Sequence, residues 1–393
     1  MKVFQINTVY NSGSTGRIAA DLKHALEAQG DECFVAFGRG RSDEFNTECI
    51  SNKFDLYHHA LMTRLTDKTG FYSKKATKRL LQKIEEFNPD IIHLHNIHGY
   101  YVNIEMLFKY LEKANKPVVW TLHDCWTFTG HCSHFEYVKC EQWKTACQKC
   151  CCTDQYPSAW KDSSKWNYRR KKELFTSVKN MVMITPSQWL ANLLKDSFLK
   201  KYPVQVINNG IETETFKPTP GDIRTRYGLG DGKIILGIAN VWNQRKGFED
   251  FIALSKEVDE KTKIVLVGVN ENQKNSLPSN VIGVERTESK EALAELYSAA
   301  DVFFNPTYED NYPTVNMEAL ACGTPVVTYN TGGSGEMVAD KKCVIKQGDY
   351  KKVLELLPYC EKLKEAMRSD TEIKFDKKSM VENYINMYKG MVK

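Results

Sequence analysis

Short apolar runs, each followed by a stretch of helical periodicity, recur in two successive series, and that repetition limits the fold more than any single residue does. In the first series the runs are VFQIN at 3–7, CFVAFG at 33–38, DIIHLHN at 90–96, VVWTLHD at 118–124, MVMITP at 181–186 and VQVINNG at 204–210. Runs this short, with Gly, Pro, Asn or Asp near their ends, read as strands buried on both faces. After the first run, RIAADLKHALEAQG places Ile18, Leu22, Ala25 and Leu26 on one helical face, and Gly30 is positioned to end the helix. The second series begins beyond the Pro/Gly stretch FKPTPGD at 216–222, with KIILGIAN at 233–240, KIVLVGV at 263–269, VIGV at 281–284, VFFNP at 302–306 and PVVTY at 325–329. Residues 349–393 are helical in composition and end without a strand. Such alternation predicts an α/β protein with parallel sheets covered on both faces. The stretch at 216–222 reads as a linker between two halves of similar order.

Composition narrows the partners. With 393 residues, 42% of them hydrophobic, the chain is long enough for two or three domains. A net charge of +5, from 54 basic and 49 acidic residues, argues against nucleic acid as the main partner. No apolar run reaches the roughly 18 residues that span a bilayer, so the expectation is a cytoplasmic protein with at most peripheral membrane contact. Six of the twelve cysteines fall between Cys132 and Cys152, a clustering that favours metal or redox chemistry over a disulfide framework.

The stretch with the most chemistry is DVFFNPTYEDNYPTVNMEALACGTPVVTYNTGGSGE at 301–336. The run VFFNP ends just before Asp310, which places that carboxylate in a loop at the carboxyl end of a strand, where open α/β sheets bind ligands. MEALACG reads as a helix closed by Gly323 that carries Glu318 in its first turns. Taken singly, acidic residues in a turn or at a helix start are usually structural. The whole stretch, however, resembles the nucleotide-sugar site of the family 4 retaining glycosyltransferases. There a Glu-x7-Glu pair precedes Ala-x-Ala-x-Gly-x-Pro-Val-Val and a Gly-Gly-x-x-Glu turn. In this chain Asp310 stands in place of the first Glu, with Glu309 immediately before it. The resemblance extends to TPSQWLANLL at 185–194, VINNGIETETFKP at 206–218 and ESKEALAELYSAADVFFNPT at 288–307.

That resemblance implies the GT-B fold, two Rossmann-like, doubly wound parallel-sheet domains facing a central cleft. Residues 1–215 would form the acceptor domain, with a cysteine-rich insertion at about 125–155. Residues 216–370 would form the donor domain, and 371–393 the helix that crosses back to the first domain. It also implies transfer of a sugar, with retention and without a catalytic metal, from a UDP- or GDP-sugar to a glycan or polyprenyl-linked acceptor in cell-surface polysaccharide biosynthesis. No cofactor is required for that chemistry, because the leaving phosphate takes the acceptor's proton. Charge develops on the diphosphate as the bond breaks, so the site needs fixed positive charge and oriented backbone donors. Arg245 and Lys246 in WNQRKGF, and the turn TGGSGE with Gly332 and Gly333, are the candidates for that task. SGSTG, with Gly13 and Gly16, would approach the ligand from the first domain. Glu318 would hold the ribose hydroxyls, and Asp310, or Glu309 in its stead, those of the donor sugar. His123 would reach the donor sugar, while His95, His98, Tyr100 and Tyr101 would help form the acceptor pocket.

Within the insertion, Cys132, Cys140, Cys147 and Cys150 have a spacing compatible with four thiolates around one structural zinc ion, with Cys151 and Cys152 as spare thiols or alternates and His131 able to replace one ligand. The basic clusters KKATKR at 74–79 and RRKK at 169–172 read first as solvated helix faces. With a lipid-linked acceptor they would hold the protein at the inner face of the membrane. Two other readings remain open: a GT-B nucleotide-sugar epimerase or hydrolase, and a non-catalytic glycan- or nucleotide-binding module.

Overall fold

The structure is a computed structural model that describes residues 1–367 and 375–392. Two compact units emerge. Unit one comprises Met1–Asn208 with Met380–Lys393, and unit two Asn209–Ser379. The division falls upstream of the Pro/Gly stretch because Ile211 and Phe216 are buried in the core of unit two. The backbone of Ile211 also pairs with residues 375–377, its N–H donating to Phe375 O at 2.7 Å and its carbonyl accepting from Lys377 N at 3.0 Å. The expected boundary at residue 370 lies outside the described residues.

Unit one holds seven strands: β1 (Lys2–Val9), β2 (Glu32–Arg39), β3 (Thr47–Cys49), β4 (Ile91–Leu94), β5 (Val118–Thr121), β6 (Met181–Thr185) and β7 (Val204–Val206). They are ordered β3-β2-β1-β4-β5-β6-β7, and every pairing is parallel. Unit two holds six: β8 (Ile234–Ile238), β9 (Lys263–Val267), β10 (Val281–Val284), β11 (Val302–Asn305), β12 (Val326–Tyr329) and β13 (Val344–Ile345). Their order is β10-β9-β8-β11-β12-β13, again all parallel. Both sheets are those of a GT-B glycosyltransferase. Helices lie between most successive strands; β2 runs to β3 without one, and only a short turn separates β12 from β13. The apolar runs mark eleven of these strands. The other two, β3 and β13, are edge strands of three and two residues, too short to carry a readable pattern.

The central strands are buried along their whole length: all four residues of β4, β5, β11 and β12 are inaccessible. Parallel strands covered on both faces have no solvated side, which is why they read as continuous apolar runs rather than as alternation.

From Met380 onward the Lys377–Val392 helix belongs to unit one. It buries Met380, Val381, Tyr384, Ile385 and Tyr388 in the same core as Val3, Val119 and Ile184. Burial of such side chains is worth about 1.5–3 kcal/mol each. The two tyrosines also reach polar groups of the sheet: Tyr384 Oη lies 2.9 Å from Thr121 Oγ1, and Tyr388 Oη lies 2.6 Å from His93 Nδ1. Among the described residues no helix is long and apolar enough to cross a membrane.

Candidate functional site

In unit two the chain leaves β8 toward β9 and leaves β11 toward β12, although β8 and β11 are neighbours. Loops that diverge in this way from adjacent strands open a crevice at the carboxyl edge of the sheet. Lys246 follows β8 and Asp310 follows β11, and Lys246 Nζ donates to Asp310 Oδ2 at 2.5 Å across that point. Both side chains reach solvent, with 26% and 19% of their surface exposed. Glu309 is buried instead, its Oε2 3.9 Å from Arg245 Nε, so of the two neighbouring carboxylates it is Asp310 that reaches solvent.

The local backbone fixes this pairing. Asn243 caps the short turn Gln244–Lys246 by accepting from Lys246 N at 3.1 Å, and Arg245 O accepts from Tyr308 N at 2.8 Å. Gly247 then turns the chain with φ of +74°, and a Cβ there would lie 2.4 Å from Pro306 O. Only glycine allows the two loops to approach this closely.

Glu318 lies on the Thr314–Ala321 helix, and its Oε2 accepts from the hydroxyl of the fully buried Tyr297 at 3.0 Å. A hydrogen bond to a carboxylate of this kind contributes about 1.5–3 kcal/mol and fixes the rotamer. The turn that follows β12 is anchored to the same helix. Asn316 Nδ2 donates to Ser334 O at 3.1 Å, and Asn316 Oδ1 accepts from Asn305 Nδ2 at 2.8 Å. Ser334 Oγ lies 2.7 Å from Thr328 Oγ1. Gly332 adopts φ of +53° in this turn, and Gly333 is buried beside it. The ends of β11 and β12, the Glu318 helix and the glycine turn thus form one hydrogen-bonded frame.

Unit one has its own divergence, between β1 and β4. The helix Gly13–Ala28 begins directly after β1, with Gly13 exposed at φ of +62° and Gly16 buried where an added Cβ would lie 3.1 Å from Val9 Cγ2. Ser12, at the N-cap position, makes no side-chain capping bond, so its hydroxyl does not occupy the first amides of this helix. Across the divergence, Thr8 Oγ1 donates to His98 O at 2.6 Å and holds the loop after β4 in place.

Three histidines stand behind this edge. His95 Nε2 lies 3.0 Å from Gln5 Oε1, and His95 Nδ1 lies 3.2 Å from His123 Nε2. The Gln5 amide donates to Ala19 O and Cys33 Sγ, so its oxygen must accept from His95. Burial pushes His95 well below its ordinary value, with His93 and His123 adding to the shift, which leaves it neutral with Nδ1 as acceptor. His123 therefore donates through Nε2, and its Nδ1 is the acceptor nitrogen. Burial also lowers His123 to about 4, against the opposing pull of Asp124. Burial would raise Asp124, but His98, 2.8 Å away, holds it at about 2.

The structure thus brings Lys246 to Asp310, Arg245 to Glu309, and His123 to His95. Gly13, Gly16 and His123 belong to unit one; Arg245, Lys246, Glu309, Asp310, Glu318, Gly332 and Gly333 belong to unit two. It does not gather the four expected zinc ligands, and among the described residues no group of three or more His, Cys, Asp or Glu could hold a metal ion. The physical reason lies in the partners. Cys147 Sγ accepts from Gly130 N at 3.1 Å, Cys140 is half-buried near Cys151, and Cys132 and Cys150 contact Cys152. His131 pairs through Nδ1 with Asp67. Sequence reasoning missed Tyr297, Asn316 and Ser334. Tyr297 sits within the stretch ELYSAAD, where it reads as part of an apolar helix face, and only its hydroxyl betrays the second role.

Residues 15–215 match the family described as Glycosyltransferase Family 4, and residues 221–373 match Glycosyl transferases group 1. The chain is 25% identical over 418 residues to the putative colanic acid biosynthesis glycosyl transferase WcaC of Escherichia coli K12, with 100% of both chains covered. It is 27% identical over 192 residues to an alpha-galactosylglucosyldiacylglycerol synthase of Streptococcus pneumoniae, covering 45% of this chain and 48% of that one. Among solved structures, HepE of Anabaena in complex with UDP and glucose superposes with a TM-score of 0.68 at 16% identity, covering 99% of this chain and all of that one. WaaG, a glycosyltransferase involved in lipopolysaccharide biosynthesis, superposes at 0.67 with 17% identity, covering 99% of this chain and 100% of that one. At such identities these two likenesses speak to the fold alone.

Proposed function

Because the chain belongs to glycosyltransferase family 4, we propose that it transfers a sugar, with retention at the anomeric carbon and without a catalytic metal, from a UDP- or GDP-sugar. The acceptor is a glycan or polyprenyl-linked glycan of cell-surface polysaccharide biosynthesis, met at the inner face of the membrane. The observation that carries this reading is the Lys246–Asp310 pair at the divergence of β8 and β11. It sets a cation for the diphosphate beside a carboxylate for sugar hydroxyls.

In this reading the bond between the anomeric carbon and the diphosphate oxygen breaks through an oxocarbenium-like transition state, and its electron pair leaves with the phosphate. Lys246 and Arg245 stabilise that growing charge, and the glycine turn at 332–333 adds backbone donors. The acceptor oxygen bonds to the anomeric carbon on the face the phosphate leaves, and its proton passes to the departing phosphate oxygen. Asp310 fixes the donor sugar, and Glu318, held by Tyr297, accepts both ribose hydroxyls. His123 holds a sugar hydroxyl through its acceptor Nδ1, while the amides after Gly13 serve as a second anion site. The colanic acid role named for WcaC supports a polysaccharide product.

The test is calorimetric titration with UDP, GDP, ADP and their common sugars. Binding of one nucleotide, lost in Lys246→Ala and in Glu318→Ala, is the expected result. Absence of binding by every nucleotide would overturn the reading. The anomeric configuration of the product, read by NMR, tests retention.

A further inference from the structure

Five of the insertion's six thiols form one connected group. Cys132 and Cys140 stand on the segment that continues the loop after β5, and Cys150, Cys151 and Cys152 on the segment that returns toward the Ser164–Phe175 helix. Cys132 touches both Cys150 and Cys152, and Cys140 lies near Cys151. Cys151 Sγ is 3.7 Å from Cys152 Sγ. The sixth, Cys147, stands apart with its sulfur on the Gly130 amide. All of them are free, and the group is graded in depth: Cys132 and Cys152 are buried, Cys140 and Cys150 half-buried, and Cys151 exposed. A group of five always leaves one thiol spare, which suits exchange rather than a fixed framework.

The two segments lead to the carboxyl edge of the first sheet. Ser133 O accepts from Cys125 N at 2.9 Å, and Cys132 O accepts from Thr129 Oγ1 at 2.6 Å, so the first segment is fastened to the loop that carries Asp124. The second is fastened at its root, where Cys150 N donates to Asp162 Oδ2 at 2.9 Å. Beyond the root it closes on itself through Gln155 N to Cys152 O at 3.1 Å and Ala159 N to Thr153 O at 2.7 Å. This loop carries Tyr156, whose Oη lies 3.3 Å from His98 Nδ1, and His98 Nε2 lies 2.8 Å from Asp124 Oδ2. One bond between the segments would therefore tie the Tyr156 loop to the Asp124 loop.

We propose that these thiols are a redox-modified clasp, in which two-electron oxidation by a hydroperoxide joins Cys150 to Cys132 and fixes the Tyr156 loop, and reduction releases it. Cys150 is the more accessible of the pair and meets the oxidant. Its thiolate bonds to one peroxide oxygen, the O–O bond breaks, and the other oxygen leaves as hydroxide and takes up a proton to form water. The Cys132 sulfur, giving up its proton, then bonds to the Cys150 sulfur, and the sulfenic hydroxyl leaves as a second water. Two electrons pass from two thiols to one peroxide. An external dithiol reverses the bond, and Cys152, in contact with both sulfurs, is the thiol through which it exchanges.

The experiment treats the purified, reduced full chain with hydrogen peroxide, blocks the remaining thiols with iodoacetamide and maps disulfides by mass spectrometry of the digest. A peptide pair joining Cys132 to Cys150, returned to free thiols by dithiothreitol, is the expected result. In hydrogen exchange, the amides of Gln155 and Ala159 should exchange at least about tenfold more slowly in the oxidised protein, since a closed clasp leaves the segment fewer open states. Cys150→Ser should lose both the link and the slowing, whereas Cys151→Ser, at an exposed position, should keep both. A wild-type map without that link would overturn the proposal, whether the thiols stay reduced, end as sulfinic acids or pair between two molecules. So would loss of the link in Cys151→Ser, or stoichiometric zinc on the reduced protein, because the thiols would then be ligands. None of these readouts needs a donor, so they stand apart from the nucleotide titration that tests the proposed function.

Discussion

Replacing Gly247 by alanine tests whether the approach of two loops makes the donor site. At φ of +74° an L-residue pays a conformational penalty of about 1–2 kcal/mol. The added Cβ would also meet Pro306 O at 2.4 Å and Pro306 Cγ at 2.6 Å, about 1 Å inside ordinary contact. The obstacle is backbone, so the loop after β11 must move, at a further cost of about 1–3 kcal/mol. Gly228 supplies the reference. It has φ of +61° and nothing within 4 Å of its would-be Cβ, so Gly228→Ala carries the conformational penalty alone. In urea melts followed by circular dichroism, Gly247→Ala should lose about 2–5 kcal/mol and Gly228→Ala about 1–2. In calorimetry Gly247→Ala should also lose nucleotide affinity, because any shift of Pro306 displaces Tyr308 from Arg245 O and Asp310 from Lys246. Gly228→Ala should bind as wild type does. If Gly247→Ala loses no more stability than Gly228→Ala, or binds nucleotide normally, the loops are not held by that contact and the reasoning fails.

Lys246→Ala should raise the Kd for the nucleotide by roughly 10- to 100-fold, the value of a charge-assisted hydrogen bond to phosphate, and should flatten its salt dependence. Asp310→Asn, by contrast, should lower turnover while leaving affinity for the free nucleotide near that of wild type; a loss of UDP affinity equal to that of Lys246→Ala would place Asp310 on the phosphates instead. Tyr297→Phe keeps the buried volume and removes only the bond to Glu318, so affinity for nucleoside diphosphate should fall about tenfold while affinity for inorganic diphosphate should not change. Burial holds His59 and His93 at about 3 and His123 at about 4, below the ordinary value of 6.5. The unfolded chain then binds more protons than the folded one between pH 6.5 and 4, so stability declines as pH falls through that window. At pH 5 the slope should be about 4 kcal/mol per pH unit from these three groups, and His93→Gln should lower it by about 1.4; a flat profile from pH 6.5 to 5 would contradict their neutrality.

Strand positions were legible because a parallel sheet covered on both faces demands short, wholly apolar runs, and the runs ending before Asp310 and His123 marked carboxyl edges directly. Strand order was not legible. Lys246 and Asp310 are 64 positions apart and meet because β8 and β11 pair out of sequence order, a consequence of long-range packing that no local pattern encodes. The link from Tyr297 to Glu318 escaped notice for the same reason, since the hydroxyl's partner arrives from a separate helix. Cysteine spacing was misleading in its own way. Spacing limits which thiols can meet but not which do, and the insertion's fold turns Cys147 toward the Gly130 amide and Cys152 toward Cys132 and Cys150.

The Lys53–Thr66 helix sharpens the point about what a sequence can carry. Helical periodicity reports that two faces differ, and hydrophobicity is then used to decide which face is buried. Here the decision fails, because three hydrogen-bonded groups, His59, Ser73 and the Gly70 amide, fix the orientation from the polar side. His59 is satisfied at both ring nitrogens, and leaving it without those partners would cost about 1–3 kcal/mol for each orphaned group, whereas Thr63 Oγ1 is buried with no hydrogen-bond partner. The His59 contacts, together with Leu56 packed on the core, set the inward face and leave Phe54, Tyr57, Leu61 and Leu65 exposed.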